Sequence, residues 1–387
     1  MTSSNPYPGQ ASYPGRVGIQ QRVLPAYRVP FFDALAQECQ GGLSVFAGQA
    51  ASEESIQSAD QLSNACYFPA HNRHFGKVSS ATYLCWQPGL IGWLESWQPA
   101  VLILEANARY QSTRRAIDWM HARRRPVIGW GLGAPGSGKN KGGLRFNLQL
   151  AGRRRFLQNF DSLIAYSNRG AKEYCGLGFP AERIFVAPNA VAHRPEFSPI
   201  IRPRASSDPL TVLFVGRLQA RKRVNLLLHA CAALPAGLQP RLVVVGEGPA
   251  REELRQLAAG VYPRANFAGA VYADALEEYF NQADLFVLPG TGGLALQQAM
   301  AHGLPVIAAE GDGTQEDLVR EENGWLVTPG DLQALVRTLS AALSNPIRLA
   351  QMGLESYKIV RDQVNLETMI TGFLIAIEHT TSFYSSS

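Results

Sequence analysis

Apolar residues alternate along this chain between short continuous runs and longer amphipathic stretches. The runs Leu43–Ala47, Val101–Leu104, Pro126–Trp130, Ser162–Tyr166 and Ile184–Val186 are each bounded by polar or turn-forming residues. The same alternation returns later at Leu210–Val215, Arg241–Val245, Leu285–Leu288 and Pro305–Ala309. A continuous apolar run of this length predicts a strand buried on both faces, and strands alternating with helices predict parallel sheets covered on both sides. Between the two series lies HRPEFSPIIRPRASSDP (193–209), rich in proline and without periodicity, which predicts a linker. The expected fold class is α/β, with two Rossmann-like domains facing across a cleft. Ligands should bind at the carboxyl ends of the strands. The boundaries are a disordered tail at 1–15, a first domain at 16–195, a linker at 196–208 and a second domain at 209–363. No short-period repeat interrupts this organisation.

Composition narrows the picture. A length of 387 residues suits two domains. Cys39, Cys66, Cys85, Cys175 and Cys231 are scattered, with no CxxC or Cys/His spacing, which argues against a disulfide framework and against structural zinc. No apolar run is long enough to span a bilayer. The start, MTSSNPYPGQASYPG, has neither a basic segment nor an apolar core, so it does not read as a signal peptide. The expected compartment is the cytoplasm.

Charge is uneven. Residues 1–195 carry a net +10 and residues 196–387 a net −5. The basic residues of the first half cluster at 123–125, at Lys139, Lys141 and Arg145, and at 153–155. Such a half suggests a negative partner, either the anionic face of a membrane or a pyrophosphate-linked lipid. Nucleic acid is disfavoured, because aromatic residues do not interleave with the basic clusters.

The stretch 284–317, DLFVLPGTGGLALQQAMAHGLPVIAAEGDGTQED, carries the most chemistry. A strand ends in a Pro-Gly-Thr-Gly-Gly turn, and a small-residue helix follows and stops at Gly303. This sets the backbone N–H groups of a glycine loop and a helix N-terminus at a strand's carboxyl end, where they favour an anion such as a diphosphate. The strand Leu210–Val215 ends in Gly216 and Arg217, and Lys222 follows after a short loop, a second set of cations for the same diphosphate. A decoy lies at 133–140, GAPGSGKN, which is one residue short of a P-loop. It has Asn140 where Mg²⁺ needs a hydroxyl, and no apolar helix follows.

Several segments together resemble glycosyltransferase family 4. In the second half these are FVGRLQARKRVNLLLHA (214–230), LVVVGEGPAREEL (242–254), ADLFVLPG (283–290), AMAHGLPVIA (299–308) and ENGWLV (322–327). In the first half they are FDSLIAYSNRGAKEYCGLGFPAERIFVAPNAV (160–191) and RVLPAYRVPFFDALA (22–36), the latter similar to the start of a bacterial polysaccharide-type subset. The resemblance covers most of 17–375, specifically in the second half and loosely over 40–150. It implies the GT-B fold and transfer of a sugar from a nucleotide-diphospho-sugar with retention of configuration. It also implies no metal and no cofactor beyond the donor itself. Arg217 and Lys222 would neutralise the leaving diphosphate. Gly216, Gly246, Glu247, Thr291, Gly292, Gly293, Leu294, Gln298 and Glu316 would form the donor site. The segment Val364–Glu378 would be the last helix (364–380), crossing back to the first domain, rather than a membrane-surface helix. The final TTSFYSSS is expected to be disordered.

One departure stands out. The family pattern places glutamates at two positions that are Gly290 and Gln298 here. In the family, the first contacts the transferred sugar and the second the ribose. Gln298 retains hydrogen-bonding capacity through its amide. Gly290 has no side chain, so backbone N–H groups of Thr291 to Gly293, or Glu310, Asp312 and Glu316, would have to substitute. On the acceptor side, Glu105 follows the strand VLIL directly and is placed to orient or deprotonate a hydroxyl. Asn107 and Arg109 lie close by, Arg28 sits before the first helix where it can meet a phosphate, and Lys139 lies in a glycine-rich loop. His193 reads as structural, and His71 and His74 lack further ligands for a metal.

These observations lead to a retaining glycosyltransferase acting on a glycan or lipid-linked acceptor, with peripheral contact to an anionic membrane. Two other readings stay open. One is a non-catalytic GT-B subunit that binds a nucleotide sugar or a partner enzyme. The other is a nucleotide-sugar epimerase, for which no acid–base pair is evident.

Overall fold

The computed structural model describes residues 12–51, 54, 56–78, 80, 82–133, 144–199, 208–271, 274–292 and 294–385. The chain divides into two units, one formed by Met1–Val191 with Glu367–Ser387 and the other by Ala192–Leu366. Each is a parallel sheet with helices on its faces.

In the first unit, strands β1 (Val17–Val23), β2 (Leu43–Gly48), β3 (Cys66–Pro69), β6 (Val101–Glu105), β7 (Val127–Gly131), β8 (Ser162–Ala165) and β9 (Ile184–Val186) form a sheet of order β3-β2-β1-β6-β7-β8-β9. Strands β4 (Arg73–Phe75) and β5 (Leu84–Trp86) make a separate antiparallel pair. Helices α1 (Val29–Gln37), α2 (Leu90–Trp97), α3 (Ser112–His121), α4 (Leu144–Leu157) and α5 (Asn168–Gly176) connect the strands. The order reverses between β1 and β6, whose neighbours run outward in opposite directions. In such sheets, ligands bind beside that reversal, at the carboxyl ends of the strands.

Strand β1 is central and every residue of it is buried, yet its sequence VGIQQRV does not read as apolar. Its polar groups are paired inside the protein: Gln20 Nε2 donates to Gln87 Oε1 at 2.5 Å, Gln21 Nε2 to the Gln20 backbone carbonyl at 3.4 Å, and Gln87 Nε2 to the Gln21 backbone carbonyl at 3.1 Å. Those bonds offset the cost of burying amides.

The second unit has β10 (Thr211–Val215), β11 (Arg241–Val245), β12 (Asn266–Gly269), β13 (Leu285–Leu288), β14 (Val306–Ala309) and β15 (Gly324–Val327), in the order β12-β11-β10-β13-β14-β15. Helices α6 (Val224–Ala232), α7 (Arg251–Val261), α8 (Asp274–Gln282), α9 (Leu294–Ala301), α10 (Thr314–Leu318), α11 (Leu332–Leu343) and α12 (Pro346–Asp362) complete it. Asp331 and Asn345 cap α11 and α12 by accepting backbone N–H bonds. The reversal here falls between β10 and β13. Strands β10, β11, β13 and β14 are apolar and buried on both faces, apart from the exposed Arg241, which is why the sequence marks them.

Two sequence expectations require correction. The tail forecast at 1–15 is ordered from Ser12: Tyr13 is buried, its N–H donates to the Glu38 carbonyl, and its carbonyl accepts from Gln40 N–H. Residues 1–11 lie outside the described residues. The C-terminal segment TTSFYSSS is not a disordered end, because α13 (Leu366–Ser385) runs almost through it. Thr380 Oγ1 donates to Ser162 Oγ at 2.8 Å, and the Tyr384 hydroxyl donates to Asp161 at 2.9 Å. Earlier in α13, Phe373 packs its ring against Phe31 and Trp130, with centroids 4.8 and 4.9 Å apart. Most of the expected linker, at 200–207, lies outside the described residues. Among the described residues, no helix is long and apolar enough to cross a membrane.

Candidate active site

The second unit concentrates its chemistry at the carboxyl ends of β10 and β13. Beyond β10, Gly216 N–H donates to the Val245 carbonyl and Leu218 N–H to the Glu247 carbonyl, at 3.0 and 2.8 Å. Gly246 N–H donates to Gly269 at 2.7 Å. The loops after β10, β11 and β12 are therefore tied backbone to backbone. Arg217 is exposed at this edge. The Glu247 side chain is exposed and ion-paired with Arg251 at 3.2 Å.

Lys222 ends a short 3-10 turn, Ala220–Lys222, and is partly buried. Burial, with Arg221 adding repulsion, pushes its ammonium down to about 8. The turn is held against the glycine loop after β13: Thr291 N–H donates to the Arg221 carbonyl at 3.1 Å, and Arg221 Nη1 reaches Thr291 Oγ1 at 3.5 Å. A Cβ on Gly292, whose φ is +107°, would run into Lys222 Nζ. The ammonium therefore lies against the glycine loop, and two segments 70 residues apart in sequence make one cationic corner.

Gly290 is explained by the same contact. A Cβ there would strike the Arg221 carbonyl and the Lys222 backbone. The Lys222 turn fills the space a side chain would need, so the glutamate of the family pattern has no room in this arrangement. Gln298, on α9, is exposed. Leu294 begins α9 and is partly buried. Gly293 lies outside the described residues. The buried Gln315 links the next loop to this one, with Nε2 at 3.5 Å from the Gly292 carbonyl and Oε1 accepting from Asp312 N–H at 3.1 Å. Glu316 follows it on α10, partly buried. Asp312 is engaged by Thr314 N–H and Oγ1, and Glu310 is exposed.

The first unit has its own polar centre at the reversal between β1 and β6. Glu105, the last residue of β6, accepts from Arg22 N–H at 2.5 Å. Burial drives its carboxyl up to about 7, despite the opposing pull of Arg22 and Arg28. Arg22 itself is committed to Glu54 through two nitrogens, at 2.7 and 2.5 Å, and lies 3.3 Å from the Tyr110 hydroxyl. Burial would raise the Glu54 carboxyl, and the Arg22 bond overcomes it and holds the group below the usual range. Arg28 is buried over the Trp130 ring at 4.5 Å, and its Nη2 donates to Asn189 Oδ1 at 3.0 Å. Asn107 closes a turn by accepting from Arg109 N–H at 3.1 Å, and Arg109 is exposed. Lys139, with the P-loop-like stretch from 134 on, lies outside the described residues.

Sequence reasoning missed Arg22, Glu54, Asn189 and Gln315. Each acquires its role from a partner distant in the chain, and no local spacing signals it.

Two doubly wound sheets, each with its polar groups at the strand-order reversal, define a GT-B protein. Residues 209–345, within the second unit, match the family described as Glycosyl transferases group 1. The chain is 33% identical over 138 residues to the sulfoquinovosyl transferase SQD2 of Arabidopsis thaliana, covering 34% of this chain and 26% of that protein. It is 29% identical over 198 residues to the amylovoran biosynthesis glycosyltransferase AmsK of Erwinia amylovora, covering 48% of each. It thus spans about half or less of these curated relatives. Over nearly its whole length the fold matches that of Anabaena HepE, solved in complex with UDP, with a TM-score of 0.68, 17% identity, and coverage of 94% of this chain and 99% of that one.

Proposed function

We propose that this protein is a retaining glycosyltransferase that moves a sugar from a nucleotide-diphospho-sugar to a glycan or lipid-linked acceptor in polysaccharide biosynthesis. One observation carries the reading: Lys222, half desolvated and pressed against the glycine loop, stands with Arg217 at the strand reversal of a group 1 glycosyltransferase domain. A cation that has lost part of its hydration gains more from an anion than one in water. In the proposed reaction the bond from sugar C1 to the diphosphate oxygen breaks. The acceptor oxygen bonds C1 on the same face, and the acceptor proton leaves with the diphosphate. Arg217 and Lys222 neutralise the departing charge, the role a metal ion fills elsewhere. Gly216, Gly246, Glu247, Thr291 to Leu294, Gln298 and Glu316 shape the donor site. Glu105, with Asn107, Arg109, Arg28 and Lys139, serves the acceptor. The basic clusters of the first unit give it peripheral contact with an anionic membrane on the cytoplasmic side. That AmsK acts in amylovoran biosynthesis and that HepE was solved with UDP both support this class of donor and product.

A second reading has an observation in its favour. Gly290 has no room for a carboxylate, which suits a GT-B subunit that binds a nucleotide sugar without transferring it. Following the anomeric proton of a panel of nucleotide sugars by NMR, with envelope lipid and oligosaccharide extracts as acceptors, separates the two. Transfer with unchanged anomeric configuration supports the enzyme, and inverted product removes the retaining mechanism. A donor that binds but survives intact supports the non-catalytic subunit.

A further inference from the structure

Arg28 is 5% exposed, and its guanidinium carries a positive charge into the protein interior. Nη2 donates to Asn189 Oδ1, but Nη1 is buried with no hydrogen-bond partner. Among the described residues no carboxylate lies within ion-pair distance of it. Its near neighbours are aromatic faces, Trp130 at 4.5 Å and Tyr166 at 5.2 Å. They stabilise a cation but accept no N–H bond in the plane of the guanidinium. Glu105 acts on Arg28 only through space and does not bond it, and desolvation raises that carboxyl to about 7.

A buried, incompletely bonded charge is costly unless something balances it. Position adds to the imbalance. Arg28 is the residue immediately before α1, a nine-residue helix with no acidic residue in its first turn and no side-chain cap. The positive end of the helix dipole reinforces the guanidinium instead of offsetting it. Arg28, Glu105, Trp130, Tyr166 and Asn189 lie at or just beyond the carboxyl ends of β1, β6, β7, β8 and β9, which are neighbours in the sheet. This is the edge where a doubly wound sheet binds its ligand.

We infer that Arg28 and Asn189 form a subsite for an oxyanion carried by the acceptor, so that the acceptor is itself anionic. The assignment to the acceptor rests on the glycosyltransferase reading, whereas the anion subsite does not. Arg28 takes the oxyanion through the unpartnered Nη1, the aromatic rings keep water from the pair, and Asn189 fixes the plane of the fork. Below about pH 7 a protonated Glu105 does not repel the anion. The oxyanion is either a phosphoryl group, as in a lipid-linked sugar diphosphate, or the carboxylate of an acidic sugar.

The test uses thermal stabilisation of the full chain by phenyl phosphate and by glucuronate, each titrated into wild type and into the Arg217→Ala/Lys222→Ala double variant, which silences the donor cations. The inference requires one of the two probes to raise the melting temperature in the double variant. Adding Arg28→Gln should weaken that response about tenfold or more, the loss of a charge-assisted bond. Asn189→Asp supplies an internal carboxylate 3.0 Å from Nη2. It should raise the unliganded melting temperature and abolish the response, so the test does not depend on Arg28→Gln folding. A phosphate-only response assigns a phosphorylated acceptor, and a glucuronate-only response an acidic glycan. Absence of any response in the double variant, or a response untouched by both Arg28→Gln and Asn189→Asp, overturns the inference. A nucleotide response lost in the double variant would stand separately, as evidence about the donor site alone.

Discussion

Burial of Lys222 makes a quantitative prediction about pH. Its free-state pKa lies near 8. The protonated ammonium is the form that attracts a diphosphate. Two negative charges within about 4 Å, at an effective dielectric near 20, are strong enough to move the bound-state pKa up by two units or more. Binding above pH 8 therefore requires proton uptake, and affinity must fall as pH rises between the free and bound pKa values. From pH 7 to pH 9 the charged fraction of free Lys222 drops from about nine-tenths to about one-tenth. Affinity should fall about tenfold, or about 1.4 kcal/mol. A nucleoside diphosphate, with a terminal phosphate pKa of about 6, goes only from about nine-tenths to fully ionised over this range and adds almost no slope of its own. Isothermal calorimetry at pH 7, 8 and 9, in buffers of different ionisation enthalpy, reads both the affinity and the proton count. Uptake should approach one proton at pH 9. Lys222→Arg keeps its charge at every pH and should bind with a flat profile. A flat profile in wild type, or a slope that survives in Lys222→Arg, would refute the assignment of this titration to Lys222.

Other outcomes follow from the same geometry. Gly290→Glu, which restores the family carboxylate, should displace the Lys222 turn, destabilise the protein by about 1–3 kcal/mol on chemical denaturation and weaken nucleotide binding rather than improve it. Gly292→Ala combines a left-handed φ with a clash at Lys222 Nζ, and calorimetry should show weaker diphosphate binding with little change in fold by circular dichroism. Glu105 has a folded-state pKa raised to about 7, above its unfolded value, so the folded state binds the extra proton and stability should fall as pH rises from about 4.5 through 7. Glu105→Gln should flatten that slope in urea titrations and be relatively more stable at pH 8. Removing residues 380–387 deletes the Thr380–Ser162 and Tyr384–Asp161 bonds, and differential scanning calorimetry should find the melting temperature lowered by several degrees.

What the sequence disclosed, and what it hid, follows from where side chains find their partners. Leu285–Leu288 and Thr211–Val215 are legible because a strand buried on both faces must be apolar along its length. Val17–Val23 is equally buried, but it satisfies Gln20 and Arg22 through side chains dozens of residues away, so composition conceals it. The strand Asn266–Gly269 is partly exposed at a sheet edge and carries a weak pattern for that reason. In the candidate site, the glycine loop, Arg217 and Lys222 announce themselves by local order. The motif also shows that Gly290 replaces a glutamate. Only the folded chain shows that the Lys222 turn occupies the missing side chain's space. Arg28 was visible as a cation before a helix, but Asn189, 161 positions on, and the rings beneath the guanidinium were not.

Arg217 and Lys222 are proposed to form a diphosphate site in the second unit. The most direct measurement is stabilisation of the full chain by a panel of nucleoside diphosphates and nucleotide sugars, beside Arg217→Ala and Lys222→Ala. A ligand that binds only the folded state at a hundredfold over its dissociation constant adds about 2.7 kcal/mol. Such a shift is expected with the diphosphates of one base and should be lost in both variants. No shift with any nucleotide, or a shift that both variants keep, would contradict the proposal.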